Sequence, residues 1–158
     1  MALFSFLLLV GCNSTPTAGE QQTPTAAAVS IVEAHKTGEE KAVVHTIHIK
    51  IDGRDFSVRL EDNPTAQAFK KEFPLTLTMK ELNGNEKYGR LTKGLPSKDE
   101  NPGQIHAGDL MLYGSDCIVL FYKDFPTSYR YTRLGRMEHP ENLEALVGEG
   151  DITVTFAP

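Results

Sequence analysis

One short stretch concentrates the side chains with which this chain could hold a ligand. Residues 121–133, FYKDFPTSYRYTR, carry five aromatic rings between Phe121 and Tyr131 and contain neither His nor Cys. Aromatic side chains provide a large apolar area, to which tyrosine adds a polar hydroxyl, and rings that line a groove are typical of a binding surface. The alternative is plain packing, in which the rings cover helices or lie under the 92–104 loop. A closed sheet buries only one face, so alternation along a strand leaves some of these rings outside.

We predict a groove that joins these rings to side chains from other parts of the sequence. An arginine would provide a fixed positive charge, and the remaining residues would provide walls. The expected occupant is a peptide or another small ligand. The predicted groove consists of Met79, Tyr88, Arg90, His106, Tyr113, Phe121, Tyr129 and Arg130.

The other residues that commonly do chemistry favour structural roles. His45 and His48 are three apart on a predicted strand, so they point to opposite faces, which is poor geometry for a metal ligand pair. Asp109 is expected to hold a turn through its side chain. Cys117 opens an apolar run and is interpreted as a small buried hydrophobe. The sequence has no phosphate-binding loop, no serine-nucleophile motif and no zinc-type His/Glu pair, so we expect neither a metal nor a cofactor.

The charge balance argues against nucleic acid as a partner. The 158 residues carry a formal net charge of −5, and the sequence pI is near 5.5. Lysine and arginine are scattered, with no run longer than Lys70–Lys71. A protein that binds a phosphate backbone needs a concentrated basic face, which this pattern does not provide.

The N-terminal region resembles that of a bacterial lipoprotein. Residues 2–11, ALFSFLLLVG, are too short to span a bilayer but fit the apolar region of a secretory signal. Leu9, Val10 and Gly11 precede Cys12, and this Leu-Val-Gly-Cys sequence resembles a lipobox, which implies cleavage before Cys12 and lipidation of Cys12. We therefore predict a signal peptide over 1–11. A buried first strand or helix is the alternative for this stretch.

The next segment, 12–42, is expected to be a flexible tether behind the lipidated cysteine. Residues 13–28 are rich in Ser, Thr, Pro, Gln and Ala, a composition that buries too little apolar surface to offset the entropy of ordering. Residues 29–42 are ambiguous and could form a weak helix. The lipoprotein resemblance implies a membrane partner through the lipid anchor and a place in the bacterial cell envelope. Asn13 after the cysteine favours the outer membrane on the same resemblance.

From Val43 onward the sequence alternates as β-strands do. Asp52-Gly53 predicts a tight hairpin between VVHTIHIKI and RDFSVRL. Asn63 and Pro64 predict the start of a helix that ends at Pro74, and a short helix follows His139-Pro140. Further strands are expected at 75–79, 88–91, 109–113, 117–122, 129–137 and 151–156, with a turn at 83–85 and a loop at 94–103. About eight short strands and two helices indicate a mainly β fold, a closed barrel with two capping helices.

Four segments resemble the bacterial cyclophilin-like domain family. They are LEDNPTAQAF, FPLTLTMKELNGNEKYGRL, AGDLMLYGSDCIVLFY and TSYRYTRLGRME. The resemblance covers about residues 44–157, and it implies a small cyclophilin-type eight-stranded barrel with a helix at each end. The domain is accordingly assigned to residues 43–158.

The resemblance leaves enzymatic activity open. True cyclophilins carry Phe-His-Arg and Gln-Gly-Gly-Asp segments, which are absent here together with Trp. Isomerisation needs a fixed cation near the prolyl nitrogen, for which Arg90 or Arg130 is the candidate, and an apolar wall, for which Met79, Phe121 and Tyr129 are available. A binding module is thus favoured over a peptidyl-prolyl isomerase, and catalytic residues are not assigned.

The lipobox predicts an acylated cysteine. A Cys12→Ser variant, expressed in a Gram-negative bacterium with the native N-terminus, should leave the membrane fraction and lose labelling by a radioactive fatty acid. Several acyl chains are needed for stable anchoring, so loss of the modified thiol removes the anchor. A variant that remains membrane-bound and labelled would show that Cys12 is not the acylated residue.

Overall fold

A computed structural model describes residues 46–158 of the chain. The predicted signal peptide, Cys12 and the tether lie outside the described residues, as do the first three residues of the predicted domain. The described part contains no helix that is long and apolar enough to cross a membrane.

The described part is mainly β, with ten strands and two short helices. In chain order these are β1 (Thr46–Ile51), β2 (Arg54–Leu60), α1 (Pro64–Lys70), β3 (Leu75–Leu82), β4 (Glu86–Arg90), β5 (Gln104–Ile105), β6 (Asp109–Tyr113), β7 (Cys117–Phe121), β8 (Phe125–Pro126), β9 (Thr132–Met137), α2 (Leu143–Val147) and β10 (Ile152–Ala157).

Eight of these strands close into an antiparallel barrel, as predicted. The order around the barrel is β1-β10-β3-β4-β7-β6-β9-β2. Alternation places one face of each strand inside: Ile47, Ile49 and Ile51 of β1 are fully buried, and the intervening side chains His48 and Lys50 are exposed. The barrel interior is one apolar core to which all eight strands or their adjoining loops contribute. Closure leaves no exposed edge for pairing with other chains.

The two helices cover opposite ends of the barrel. Asn63 caps α1 by accepting a hydrogen bond from the Ala66 amide at 2.8 Å, and Phe69 packs edge-to-face on Phe156 near the end of β10. Helix α2 precedes the start of β10 and buries Leu143 and Val147 in the same core. Because the two helices meet β10 at its two ends, each closes one mouth of the barrel.

Several predicted element boundaries are wrong, and the largest error concerns the aromatic stretch. The strand predicted over 129–137 begins only at Thr132. Before it, the Thr127 side chain accepts a hydrogen bond from the Tyr129 amide at 3.1 Å, and this local turn competes with strand pairing. Strand β3 continues to Leu82 rather than ending at 79. The strand predicted at 88–91 spans 86–90, so it begins earlier, at Glu86.

A two-stranded ribbon outside the barrel was not predicted. Strand β5 pairs with β8 through Gln104–Pro126 and Ile105–Phe125. Each partner is only two residues long. Such a segment shows no sequence period, so only the tertiary pairing reveals it.

Gly135 provides a test of the barrel packing. A Cβ at this position in β9 would lie 2.5 Å from the Arg59 carbonyl oxygen, whereas nothing lies within 4 Å of the equivalent atom at Gly150. Gly135→Ala should therefore lower the free energy of unfolding by about 1–3 kcal/mol through overpacking. Gly150→Ala is the matched control. Chemical denaturation measures both, and equal midpoints for the two variants would contradict the close approach of β9 to β2.

Candidate functional site

The outer face of three neighbouring strands forms a platform on the barrel wall. Strand β4 turns Glu86, Tyr88 and Arg90 outward, because Lys87 and Gly89 face the interior. Residues opposite each other in an antiparallel pair share a face. Glu86 therefore lies beside Phe121, Tyr88 beside Val119, and Arg90 beside Cys117 of β7. Met111 and Tyr113 of β6 pair with Val119 and Cys117 of β7, so they lie on the same outer face.

This outer platform carries a second hydrophobic cluster, separate from the barrel interior. It buries Ile105, Met111, Cys117, Val119, Phe121 and Tyr131, with Tyr88 and Phe125 packed against it. The Phe121 ring centroid lies 5.4 Å from that of Tyr131 and 5.6 Å from that of Phe125. The next residue, Tyr122, belongs to the interior core, as the predicted alternation requires.

A pocket of about 380 Å³ opens at one side of this platform. Its floor is the outer face of β4, β7 and β6, and the segment before β9 forms a wall. The turn between β3 and β4 closes one end. The lining residues are Leu82, Asn83, Asn85, Glu86, Tyr88, Arg90, Tyr113, Cys117, Val119, Phe125, Tyr129 and Tyr131.

Four of the eight predicted groove residues meet in this pocket: Tyr88, Arg90, Tyr113 and Tyr129. The rings of Tyr113 and Tyr129 are edge-to-face, with centroids 6.4 Å apart, and both remain partly exposed to solvent. Phe121 is fully buried and supports the pocket from beneath through Tyr131 and Phe125. The aromatic stretch thus serves both purposes considered from the sequence, packing by some rings and wall formation by others.

The remaining three predicted groove residues lie elsewhere. Met79 is fully buried in the barrel interior, because β3 turns Leu77 and Met79 to the same inner face. The His106 Nδ1 atom lies 3.5 Å from an Asp124 carboxylate oxygen, outside the lining of the pocket. Arg130 donates a 2.6 Å hydrogen bond to the Asp99 carbonyl and is also absent from the lining.

Arg90 stands at the rim with its charge already paired. Its Nη1 atom lies 2.9 and 3.0 Å from the two carboxylate oxygens of Asp116, in the turn between β6 and β7. The Asp116 hydrogen bond and charge raise the pKa of the guanidinium further above its usual range. A neutralised, oriented arginine can orient a polar group but attracts an anion less than a free arginine would.

Glu86 is the most unusual side chain of the pocket. Only 8% of the residue is exposed, and its neighbours across the sheet are Leu82 and Phe121. Within residues 46–158 its carboxyl group has neither a hydrogen-bond partner nor an ion-pair partner. Burial, with a contribution from the negative charge of Glu81, raises the pKa of Glu86 to about 7. A buried carboxyl group that titrates near neutral pH marks a candidate functional site.

Glu81 keeps its charge because it belongs to a bonded network at the barrel end. The fully buried Lys87 ammonium lies 2.6 Å from Glu81 Oε2 and donates to the Gly148 carbonyl at 2.8 Å. The Tyr122 hydroxyl donates to Glu81 Oε1 at 2.8 Å. Burial acts in the opposite direction, but these hydrogen bonds outweigh it and hold the pKa of Glu81 below its usual range. The lysine that follows Glu86 directly in sequence is therefore committed to Glu81.

Asn85 adds a second unsatisfied acceptor to the pocket. Its Oδ1 atom is buried and has no hydrogen-bond partner among the described residues. A buried polar atom without a partner costs about 1–3 kcal/mol, so each case calls for an explanation. Asn85 and Glu86 were missed from the sequence because NGN resembles an ordinary turn. One signal in the sequence could have identified Glu86: it lies two residues before Tyr88 on a strand, so alternation places it on the same face as Tyr88.

Other chemistries have little support in the described residues. No group of three His, Cys, Asp or Glu side chains is placed to hold a metal ion within residues 46–158. Cys117 is buried as predicted, and burial raises the pKa of its thiol, which disfavours the reactive thiolate. Asp109 accepts a 2.9 Å hydrogen bond from the His106 amide, which confirms its predicted role in a turn.

Comparison with known proteins agrees with the architecture of the barrel. Residues 49–157 match the family model described as the Cyclophilin-like family. The chain belongs to the cyclophilin-like family. This cyclophilin-like domain is also similar to the solution structure of a hypothetical protein from Archaeoglobus fulgidus, with 20% sequence identity, a TM-score of 0.48, and coverage of 75% of this chain and 98% of that chain. No curated protein matches the sequence.

The raised pKa of Glu86 predicts how stability changes with pH. Between pH 4.5 and about 7 the unfolded chain releases this proton and the folded domain keeps it, so the contribution of Glu86 to the free energy of unfolding falls as pH rises and levels off above pH 7. A shift of this size corresponds to about 3 kcal/mol. Glu86→Gln should therefore be about 2–3 kcal/mol more stable than the unaltered protein at pH 8 and equally stable at pH 4.5.

Denaturation at pH 4.5, 6 and 8 measures this difference. Glu72→Gln, a change at an exposed carboxylate after α1, is the matched control and should leave the difference from the unaltered protein constant across pH. If the difference in free energy of unfolding between Glu86→Gln and the unaltered protein is also constant across pH, the pKa of Glu86 is not raised in the folded domain.

Proposed function

We propose that this cyclophilin-like domain is a binding module that holds a peptide or small ligand in the pocket beside β4. The observation that carries the proposal is the pocket itself: an aromatic enclosure of about 380 Å³ with a nearly buried carboxyl group that lacks a partner within the described residues. Ligand sites typically combine apolar walls with a few oriented polar groups, and their volumes begin at about 300 Å³.

The composition of the pocket supports recognition rather than mere packing. Five aromatic residues line it, namely Tyr88, Tyr113, Phe125, Tyr129 and Tyr131. Tyr129 is 63% exposed and Tyr113 is 46% exposed, which is unusual for large aromatic side chains that touch each other. A ligand between these rings and the floor would bury both. Such burial is worth about 25 cal/mol per Å² of apolar surface.

A peptidyl-prolyl isomerase is the alternative, and the position of Arg90 favours it. This arginine lines the same pocket as Tyr88 and Tyr113, so a cation does stand beside an apolar wall. Its Nη1 atom, however, is engaged by both oxygens of Asp116. Catalysis requires an interaction that is stronger in the twisted transition state than in the ground state, and a donor already held by a carboxylate is poorly suited to that task.

We further propose that the domain works at the surface of the bacterial envelope, tethered through a lipidated Cys12. The support is the sequence of residues 2–12, with its apolar run and lipobox, and the polar segment that follows. A tether of about 28 flexible residues would have an r.m.s. span of roughly 30 Å, enough to present the pocket to ligands near the membrane.

The pocket should bind small ligands without fast isomerase activity. Screening an aromatic and aliphatic fragment library against the ¹⁵N-labelled protein by NMR should find ligands that shift the amides of Tyr88, Tyr113 and Tyr129. Tyr129→Ala should lower the affinity for such ligands about 3- to 10-fold, which corresponds to the loss of one aromatic contact. Arg130→Ala is the matched control, because Arg130 is adjacent in sequence but does not line the pocket.

Two results would count against this function. Shifts that are absent from the pocket, or equal losses of affinity in the two variants, would contradict binding there. The uncatalysed prolyl isomerisation takes tens to hundreds of seconds, so a coupled peptide assay detects weak catalysis. An efficiency of about 10⁴ M⁻¹s⁻¹ or more that Arg90→Ala abolishes would establish the isomerase instead.

A further inference from the structure

Two hydrogen-bond acceptors lie at the β3–β4 end of the pocket beside β4. Glu86, of which 8% is exposed, offers carboxyl oxygens that form no hydrogen bond or ion pair within residues 46–158. The buried Asn85 Oδ1 atom also has no hydrogen-bond partner there. An unpartnered acceptor is satisfied only by a donor. The complementary ligand group therefore carries N–H or O–H hydrogens directed at the end of the pocket formed by the β3–β4 turn.

The surroundings of these acceptors also favour positive charge. Aromatic faces attract cations, and five aromatic side chains line the pocket. On β3, the ionised Glu81 adds negative potential at Glu86, and its partner Lys87 points into the barrel. The chain as a whole carries a net charge of −5. A cation that enters the pocket would relieve the cost of ionising Glu86 in an apolar setting.

The guanidinium of Arg90 does not cancel this preference. Glu86 and Arg90 are four residues apart on one strand face, which corresponds to about 13 Å at the rise of a β-strand. The Arg90 charge is also neutralised by Asp116, with both carboxylate oxygens within 3.0 Å of Nη1. The positive and negative groups of the pocket therefore lie at opposite ends, with Tyr88 between them on β4.

We propose that the pocket recognises a primary or secondary ammonium group attached to an apolar body, with Glu86 and Asn85 accepting the N–H hydrogens and the tyrosine rings enclosing the apolar part. This inference rests on the proposed binding function and names the ligand class. The ammonium group could belong to a free amine or to a lysine side chain of a peptide. A quaternary ammonium fits less well, because it has no N–H to satisfy the two acceptors.

Four probes test the ligand class on the full chain by NMR titration or calorimetry. Benzylammonium should bind at least 10-fold more tightly than benzyl alcohol, its neutral analogue, and than benzyltrimethylammonium, which keeps the charge but lacks N–H. A lysine peptide with blocked termini separates the two sources: a tighter peptide indicates a peptide ligand, and a tighter benzylammonium indicates a small amine. Both of those outcomes agree with ammonium recognition.

Glu86→Gln should abolish the preference for benzylammonium over benzyl alcohol, and Glu72→Gln should preserve it. The glutamine variant is expected to fold at least as well, because it removes a buried ionisable group. Equal binding of benzyl alcohol, equal binding of benzyltrimethylammonium, or a preference that survives Glu86→Gln would each overturn the assignment. In those cases the pocket still binds ligands, and the proposed binding function stands. If no probe and no fragment binds in the pocket, both the ammonium proposal and the binding function are wrong.

A pH profile provides a second readout that a purely structural role of Glu86 would not change. The ionised carboxylate is the binding form, so the affinity for benzylammonium should be about 100-fold lower at pH 5 than at pH 8. The other titratable groups that line the pocket are Tyr88, Arg90, Tyr113, Cys117, Tyr129 and Tyr131. Lys80 does not line it, but it is exposed on β3 opposite Tyr88. Glu81 of β3 is the other carboxylate that acts on Glu86, and despite burial its hydrogen bonds hold its pKa below the usual range. An affinity that is unchanged between pH 5 and 8 would contradict the proposal.

Discussion

The outer face of β7, together with Met111 of β6, is apolar although it lies outside a closed barrel, and this constraint organises the rest of the domain. Both faces of β7 are buried, with Ile118 and Leu120 in the interior core and Val119 and Phe121 in the outer cluster. An apolar outer face must be removed from water by some other part of the chain. The β5–β8 ribbon and the segment before β9 provide that cover.

The cover is incomplete, and the pocket is the part that it leaves open. Tyr131 and Phe125 pack on Phe121, but Tyr129 and Tyr113 remain at the surface and only touch each other. The pocket is therefore lined by the same outer strand face that holds the covering segment in place. A substitution that loosens the cover is expected to change the pocket as well, because the two share Tyr131 and Phe125.

Glu86 distinguishes this opening from a purely apolar cleft. An apolar side chain beside Leu82 and Phe121 would avoid the cost of burying a carboxyl group, and the lysine next to it in sequence is committed to Glu81. Buried polar groups without partners reduce stability, and natural proteins commonly keep such groups where function requires them. The stability that Glu86 is predicted to remove between pH 4.5 and 7 is thus linked to the same group that we propose recognises a ligand.

The fold was largely determined by local patterns in the sequence. Alternation from Thr46, the Asp52-Gly53 hairpin and the Asn63-Pro64 helix start are local signals, and each acts through neighbouring residues. The number of barrel strands and the two covering helices followed from these signals, and the resemblance supplied the cyclophilin-like architecture. Alternation also placed Phe121 and Tyr122 on opposite faces correctly.

The pocket was decided by contacts between distant parts of the chain. The sequence indicated Tyr88, Arg90, Tyr113 and Tyr129, and alternation put Glu86 on the face of Tyr88. Which of these faces is covered, and by what, depends on the register between β3, β4 and β7. The ion pair of Arg90 with Asp116 joins residues 26 positions apart. The burial that raises the pKa of Glu86 is likewise a property of the assembled surface. Alternation along a strand is a local rule, whereas burial and pairing across strands arise only when the barrel closes.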